Sequence, residues 1–288
     1  MRQVVLPVLT VLAAIVLIWY CAAVALNAKW VRDQAARADE QVSFSQLVAA
    51  TMVQERPVMP APHQVVQGLW QGLAGQKVTS KRSLVRHAWI TFSATMLGFV
   101  IGTAAGIALA VGIVHLRSMD MSVMPWAIAS QTVPILAIAP MVIVVLASLG
   151  IKGLLPKALI AAWLCFFPIL VGMVKGLRAP DRMQLDQLRT WNASGGDTFW
   201  KLRLPSSMPY FFASLKVGIA AALVGTIVAE LPAGATSGLG ARLLQGSYYG
   251  QTIQIWAALF TAAVLAGMLV VVVGVIERVV LKRMGMVQ

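Results

Sequence analysis

A chain of 288 residues that is 59% hydrophobic and 11% charged, with a mean hydropathy of +0.80, is too apolar for a soluble domain, whose charged fraction is usually about 25%. The net charge of +13 does not indicate nucleic-acid binding, because the basic residues flank apolar spans and form no continuous stripe. The sequence therefore predicts an all-α integral membrane protein of about six helices, each about 20 residues long.

The first apolar span covers residues 4–26, and no charged residue follows it before Lys29. This is longer than the apolar core of a signal peptide, which is about 7–15 residues. We therefore interpret residues 1–27 as a retained transmembrane helix. A cleaved signal is the alternative, because small residues such as Ala23 lie where a peptidase could act.

Residues 28–86 carry mixed charge and a proline-rich stretch, which predicts an extracytoplasmic segment. Within it, residues 65–73 place Leu69 and Trp70 on one side of a helix and Gln67 and Gln71 on the other. This pattern fits a helix lying along the membrane surface, and a simple loop fits equally well.

The second span covers residues 88–114 and carries glycines four residues apart, at Gly98, Gly102 and Gly106. This spacing places three small residues on nearly one helix face, where a neighbouring helix can approach closely. We interpret the glycines as a packing feature, and a role in conduction is the alternative.

The third span, residues 123–149, is interrupted by three prolines, Pro125, Pro134 and Pro140. Gln131 and Thr132 lie between the first two, so helical hydrogen bonds are predicted to break at membrane depth. Such breaks are tolerated where protein or a water-filled cavity satisfies the backbone. We place the translocation pathway partly along Gln131, Thr132 and Pro134, with plain helix kinks as the alternative.

The fourth span covers residues 158–174, and the fifth begins near Pro209 and ends at Glu230. A carboxylate at the end of an apolar run is costly unless it meets water or a partner. Glu230 is therefore a candidate pathway residue. A helix-end residue that reaches solvent explains it equally well. The sixth span covers residues 253–276.

The loop between the fourth and fifth spans, residues 178–208, has an internal pattern. A short helix up to Trp191 meets Asn192, which is favoured after glycine at a left-handed, helix-ending position. Ser194 or Asp197 can cap a second short helix that carries Phe199, Trp200 and Lys201, and Leu204-Pro205 is expected to end it. The pattern suggests a docking module, and an ordinary cationic loop is the alternative.

Basic residues set the expected topology. With the N-terminus inside, the short inner segments hold twelve of them: Arg2, Arg117, Lys175, Arg178, Arg182, Arg189, Lys201, Arg203, Lys216, Arg278, Lys282 and Arg283. The short outer segments hold three: Lys152, Lys157 and Arg242. This bias predicts six spans with both ends in the cytoplasm. Residues 28–86 add eight basic residues on the outer side, which opposes this topology. We leave them out of the count only because the segment is about 60 residues long, the limit beyond which the charge rule no longer applies.

At this loop the chain resembles the permease subunits of binding-protein-dependent ABC importers, whose loop reads Glu-Ala-Ala, three residues, Gly, and then Leu-Pro. Asp186 stands at the Glu position, Gln187 and Leu188 replace the two alanines, Asn192 replaces Gly, and Leu204-Pro205 keeps the ending. The chain is most similar to the nitrate, sulfonate, taurine and pyrimidine-type permeases. Further segments follow that family's order: Pro60-Ala61-Pro62, His87 with Thr91 and Gly98-Phe99, Val133-Pro134 with Ala139-Pro140, Phe166-Phe167-Pro168, Val228-Ala229-Glu230 and Gly238-Leu239-Gly240.

The resemblance implies a type I importer permease of the bacterial inner membrane, with residues 87–288 as the permease core and residues 178–208 as its cytoplasmic coupling loop. It also implies ABC ATPase subunits, a second permease copy in a homodimer, a periplasmic solute-binding protein and surrounding membrane lipid as partners. The implied solute is a pyrimidine-like precursor, a sulfonate or taurine, nitrate or a similar small molecule. The implied ATPase-docking residues are Asp186, Asn192, Ala193, Ser194, Gly195, Phe199, Trp200, Leu204 and Pro205.

The sequence contains no phosphate-binding loop, no metal-ligand motif and no nucleophile elbow, so we expect no cofactor, no metal and no catalysis in this chain. An ion- or proton-coupled carrier is the main alternative, and a membrane enzyme or scaffold is another. A proton-coupled carrier usually needs relays of acids and histidines inside the membrane, and Glu230 is the main acid there.

Overall fold

The computed structural model describes residues 2–232 and 235–286, and within these ranges the chain contains helices and no strand. The helices are α1 (Arg2–Arg37), α2 (Phe44–Val53), α3 (Pro62–Leu73), α4 (Leu84–His115), α5 (Arg117–Ser130), α6 (Ile135–Ser148), α7 (Leu154–Leu177), α8 (Arg182–Thr190), α9 (Gly195–Thr198), α10 (Leu204–Ala229), α11 (Leu239–Tyr248) and α12 (Thr252–Arg283). Gly234, between the fifth and sixth predicted spans, lies outside the described residues, and so does Gln288.

The chain divides into two compact units. The first contains the residues up to His87 together with Ala241–Ala262, and the second contains Ala88–Gly240 together with the residues from Ala263 onward. The first unit therefore holds α1 to α3, and the second holds α5 to α10.

In the first unit, α1 is fixed to the proline-rich segment through Asn27. The Asn27 side chain is fully buried, accepts hydrogen bonds from the Val58 and Met59 amides, and donates one to the Met59 carbonyl at 2.8 Å. One side-chain amide thus satisfies three backbone groups of an irregular segment, which a buried loop requires. The segment predicted to be amphipathic forms α3.

In the second unit, α4 packs closely against α7 through its glycine face. A Cβ atom added at Gly98 or Gly102 would overlap the backbone of Ala158 or Ala162. One added at Gly106 would overlap the Phe166 carbonyl. The predicted close helix approach is confirmed, because only glycine leaves room for the facing backbone.

The third predicted span is broken at Gln131–Pro134 into α5 and α6, whose axes differ by 98°. Arg178, at the end of α7, lies 2.8 Å from Asp120 in the first turn of α5. At the opposite end of α7, Ile160 packs with Ala139 of α6. The start of α5 therefore lies at the C-terminal end of α7, and α6 packs near the N-terminal end of α7. Because α7 is a membrane span, α5 and α6 together cross the membrane once, as one broken span. With the five long apolar helices, this gives six spans.

The structure corrects the expectation that Leu204-Pro205 ends the short helix. The chain passes from α9 through a widened π-helical turn, Phe199–Arg203, directly into α10. The Leu204 amide bonds to the Phe199 carbonyl five residues back. This wider turn shifts the hydrogen-bond ladder, so Pro205 lies in the first turn of α10, where its missing N–H is tolerated.

Lys216 was expected in a short inner segment, and this is wrong. It lies inside α10, where it forms an ion pair with Glu277 of α12. The pair neutralises both charges within the two apolar helices, and this keeps the span hydrophobic despite an internal lysine.

Candidate functional site

Glu230 caps the C-terminal end of α10 and is fully buried. An ionised carboxylate without water needs several donors. Lys157 of α7 donates to its Oε1 at 3.0 Å, and Thr91 of α4 donates to its Oε2 at 2.9 Å. The Gly240 amide also donates to Oε2, at 3.0 Å. Glu230 therefore bonds to α4, to α7 and to Gly240, and it does not reach solvent.

The same residues hold the turn that follows α10. Lys157 donates a second hydrogen bond to the Ser237 carbonyl at 2.8 Å. The Leu239 amide donates to the Thr91 hydroxyl at 2.9 Å. We call these residues the Glu230 cluster: Thr91, Lys157, Glu230, Ser237, Leu239 and Gly240. The cluster fixes a loop between two helices through one ion pair and a set of backbone contacts.

The cluster explains the two glycines of Gly238-Leu239-Gly240. Gly238 has a φ of +117°, a backbone conformation that glycine adopts without strain. A Cβ at Gly238 would overlap the Glu230 carboxyl group, and one at Gly240 would overlap the Ile227 carbonyl. Both positions bring backbone directly against the carboxylate and the end of its helix.

Sequence reasoning identified Glu230 but missed both side chains that bond it. Lys157 was counted only as an outer cation, and Thr91 only as part of a family segment. The available signal was a lone lysine at the start of one span and a lone carboxylate at the end of another, since opposite charges at membrane depth usually pair.

A cavity of about 600 Å³ lies beside the cluster, in the second unit. Its lining includes Trp89 and Ser93 of α4, Lys152, and the cluster members Lys157 and Ser237. Lys157 is paired with Glu230, so Lys152 is the lysine of this lining without an ion pair among the described residues. An aromatic ring, a hydroxyl and one unpaired cation in one concave site suit a small polar or anionic molecule with a flat apolar part.

In the loop at residues 178–208 the predicted turn is confirmed. Asn192 has a φ of +53°, in the left-handed region. The hydroxyl of Ser194 caps α9 by accepting a hydrogen bond from the Asp197 amide at 3.0 Å. Ala193 is half-buried, and its amide bonds to the Leu188 carbonyl at the end of α8. These local bonds give the loop a defined helix–turn–helix shape.

The remaining predicted docking residues divide by exposure. Trp200 is 67% exposed, whereas Phe199 is half-buried with its ring 5.4 Å from that of His115 in α4. Asp186 is exposed and pairs with Arg189 of the same helix at 3.0 Å, and Gly195 is also exposed. Leu204 and Pro205, in the first turn of α10, are half-buried like Phe199.

The predicted pathway residues Gln131, Thr132 and Pro134 lie together at the break between α5 and α6, and all three are exposed in the single chain. Thr132 donates to the Ala129 carbonyl at 2.8 Å, which satisfies one broken backbone group. The side chains that bond Glu230 include none of these three residues. The structure thus places the pathway candidates at two separate sites.

Within residues 2–232 and 235–286, no group of three or more His, Cys, Asp or Glu side chains could hold a metal ion. The ion pairs found there join one acid to one base, as in Lys157 with Glu230 and Lys216 with Glu277. In this part of the chain five acidic side chains form ion pairs, and the acids form no cluster of the kind that metal binding requires.

Comparison with known proteins gives a consistent result. The family of binding-protein-dependent transport system inner membrane components matches residues 98–286. The chain is 29% identical to the riboflavin transport system permease protein of Chloroflexus aurantiacus, over 78% of this chain and 80% of that protein. It is 27% identical to the formylaminopyrimidine transport permease protein of Halalkalibacterium halodurans, over 67% and 72% of the two chains. It is 25% identical to the putative aliphatic sulfonates transport permease protein of Bacillus subtilis, over 84% and 83%.

Proposed function

This chain belongs to the family of binding-protein-dependent transport system inner membrane components, and we propose that two copies of it form the solute pathway of an ATP-driven importer. It is a multi-pass transport subunit of the inner membrane, with the six-span all-α fold of a type I permease. The energy comes from separate ABC ATPase subunits. The observation that carries the proposal is the loop at residues 178–208. Hydrogen bonds between its own residues define its shape, and several of its large apolar side chains are exposed.

Three large apolar side chains project from this loop, and each is more than half exposed: Met183, Trp191 and Trp200. An exposed tryptophan on a polar segment is a typical anchor of a protein interface. Phe199 supports the surface from below, since it packs against His115 and Trp200. We therefore propose that the surface from α8 through the Asn192 turn and α9 to the π-helical turn binds the ATPase subunit, with Trp200 of the π-helical turn as the main anchor.

The break between α5 and α6 supports the proposal that a second copy of the chain takes part. Its residues Gln131, Thr132 and Pro134 are exposed within a span, and lipid cannot satisfy the backbone groups that a broken helix releases. Such a break is stable where a second protein chain covers it or where it lines water. A pathway between two copies supplies both conditions, so we propose that the break faces that pathway.

We propose that the solute is a small molecule delivered by a periplasmic binding protein. Named relatives transport riboflavin, formylaminopyrimidine and aliphatic sulfonates, so a pyrimidine-like precursor, a sulfonate such as taurine, or a similar anion such as nitrate is expected. The cavity beside the Glu230 cluster, with Trp89 and Lys152, suits this chemistry. A proton-coupled carrier is not favoured, because Glu230 is held by Lys157 and two further donors.

The docking proposal is tested by co-purifying the permease with its ATPase subunit. Trp200→Ala should weaken the association by about 2 kcal/mol, or roughly thirtyfold, and lower solute-stimulated ATP hydrolysis, while membrane levels stay normal. Trp70→Ala is the matched control, because Trp70 is 72% exposed on α3, outside the loop. Full association of the Trp200→Ala variant would exclude this loop as the docking site.

The transport proposal is tested in proteoliposomes that contain the permease, the ATPase subunit and the binding protein. Uptake of one compound from a panel of pyrimidines, riboflavin, taurine and alkanesulfonates should require ATP. Uptake driven by an ion gradient without ATP would instead support a secondary carrier.

A further inference from the structure

The first unit contains a cavity of about 330 Å³ that the transport proposal does not use. Three guanidinium groups line it, from Arg56, Arg82 and Arg242, and one carboxylate, from Glu55. Three positive charges and one negative charge give the lining a net charge of +2. Among the residues the structure describes, none of these four side chains forms an ion pair. The cavity therefore presents positive charge that this chain does not neutralise.

Polar atoms at and beside the cavity lack partners. The Nε atom of Arg242 is buried without a hydrogen-bond partner, although its Nη2 donates to Gln254 at 2.7 Å. The Ser83 hydroxyl, next to Arg82, is also buried and unpartnered. Burial and the neighbouring Arg82 guanidinium both lower the pKa of Arg242. Buried donors without acceptors, in a positively charged site, favour a bound anion.

The cavity lies where two membrane spans begin. Leu84 is the first residue of α4, and Ile253 and Gln254 are in the first turn of α12, and all three line the cavity. Phospholipid headgroups lie at the level where spans leave the hydrocarbon.

Helix α3 also indicates that the cavity lies at the level of the phospholipid headgroups. Its Gly68, Gln71 and Gly72 line the cavity. Its other face presents the exposed apolar side chains of Val66, Trp70 and Leu73. A helix with tryptophan and aliphatic residues on one face and polar contacts on the other lies in the membrane interface. The cavity is therefore at headgroup level.

We propose that the arginine cavity binds an oxyanion of the phosphate or sulfonate type, and that the headgroup phosphate of a membrane phospholipid is one source and a free anion the other. Guanidinium groups suit this chemistry because their planar N–H pairs match two oxygens of one anion. Arg242 supplies the buried donor and Arg82 the neighbouring charge, and Arg56 adds an exposed guanidinium group to the lining.

The free anion is tested by thermal unfolding of the full-length permease in a neutral detergent, with inorganic phosphate or sulfate against chloride at equal ionic strength. Phosphate should raise the unfolding midpoint of the wild-type protein. Arg242→Gln should weaken the phosphate affinity roughly tenfold or more. Arg37→Gln is the control, because Arg37 is exposed at the end of α1 and does not line the cavity.

The lipid source is tested in nanodiscs of phosphatidylcholine with and without phosphatidylglycerol, with retained lipid measured by native mass spectrometry. Retention of phosphatidylglycerol by wild type and by Arg37→Gln, with loss in Arg242→Gln, assigns the site to lipid. A phosphate response without lipid retention assigns it to a free anion. If Arg242→Gln does not fold, Arg56→Gln replaces it, since Arg56 is exposed and its loss should lower the same affinity.

Equal phosphate and lipid responses in wild type and in the arginine variants would overturn the proposal. Weaker binding of the periplasmic binding protein to those variants would then assign the arginines to contact with an acidic protein surface.

Discussion

The Glu230 cluster and the loop at residues 178–208 are both polar segments next to α10, at its opposite ends, yet they are built differently. In the cluster, the Glu230 carboxylate has 0% exposure and Lys157 14%, and every oxygen of the carboxylate has a donor. In the loop, Trp191 and Trp200 are about two-thirds exposed and contribute little to the interior. The chain completes the cluster by itself, whereas the two tryptophans of the loop stay exposed in the single chain, as the proposed docking surface requires.

The two polar segments should therefore respond differently to substitution. A buried ion pair stabilises little against an apolar replacement, but removing one partner strands a buried charge and is costly. Exposed loop residues can be changed with little effect on stability, and their loss appears in binding. Substitutions in the cluster should therefore reduce folded protein, and substitutions in the loop should reduce association with the ATPase.

The largest effect is expected for Gly238→Ala. The substitution forces an alanine into a φ of +117° and places its Cβ on the Glu230 carboxyl group. The strain and the displacement of the ion pair together should cost about 4 kcal/mol or more. We expect little folded permease in the membrane, measured by quantitative immunoblot and by size-exclusion chromatography in detergent.

Gly267→Ala is the control for this experiment. Gly267 lies inside α12, and a Cβ there meets no atom within 4 Å. Alanine is favoured over glycine inside a helix, so the control should be normal. Normal levels of the Gly238→Ala variant would contradict the tight contact between the turn and Glu230.

The second effect concerns the ion pair. Lys157→Met leaves the Glu230 carboxylate buried without its cation and should cost about 3 kcal/mol. Glu230→Gln should cost less, because the amide oxygen still accepts from Gly240 and Lys157 is partly exposed. The double variant should be more stable than the sum of the single effects predicts, since it leaves no unpaired charge.

The stabilities of the two single variants and the double variant are compared by thermal unfolding in detergent, with Lys152→Met as the control. Lys152 is exposed and, among the described residues, forms no ion pair. Additive losses in the double variant would show that the two side chains do not interact.

The spans could be predicted from sequence because hydrophobicity over about 20 residues is sufficient to place a helix in a membrane. The break near Gln131 followed from Pro134, which is a local effect. The length of α1 did not follow, since it continues beyond residue 26 to Arg37 through polar residues that still favour helix. The helix through Pro205 was also missed, because a π-helical turn has no sequence signal comparable to that of proline.

In the candidate sites, too, local features could be predicted and contacts between distant residues could not. The Asn192 turn and the Ser194 cap depend on neighbouring residues and were predicted correctly. The partners of Glu230 were not, because Thr91 and Lys157 are 139 and 73 residues away in sequence. The half-buried state of Phe199 depends on His115 and was missed for the same reason. Contacts between distant residues require the packed helices to be known.

The third effect tests the loop through its turn. Asn192→Val places a β-branched residue at a φ of +53°, which costs about 1–2 kcal/mol locally, whereas Asn192→Gly removes the strain. The valine variant should bind the ATPase subunit roughly tenfold more weakly, with normal membrane levels and normal thermal unfolding. The glycine variant should bind like the wild type. Equal binding of both variants would show that the turn does not shape the docking surface.

The smallest effect is expected at an ion pair of the same charge type as Lys157–Glu230 but open to water. Arg178 and Asp120 lie 2.8 Å apart, and their side chains are 46% and 38% exposed. Solvent screens this pair, so Arg178→Gln should cost no more than about 0.5 kcal/mol and lower the unfolding midpoint by about 1–2 °C.

The decisive quantity is the difference between Arg178→Gln and Lys157→Met, measured in the same detergent and buffer. A difference of about 2 kcal/mol or more follows if burial, and not charge pairing itself, makes the cluster sensitive. A loss for Arg178→Gln as large as that for Lys157→Met would mean that the link between α7 and α5 is itself structural, because Arg178 and Asp120 join the inner ends of these helices. Since α5 leads into the break at Gln131, that outcome would mean that the first turn of α5, through Asp120, stabilises the broken span.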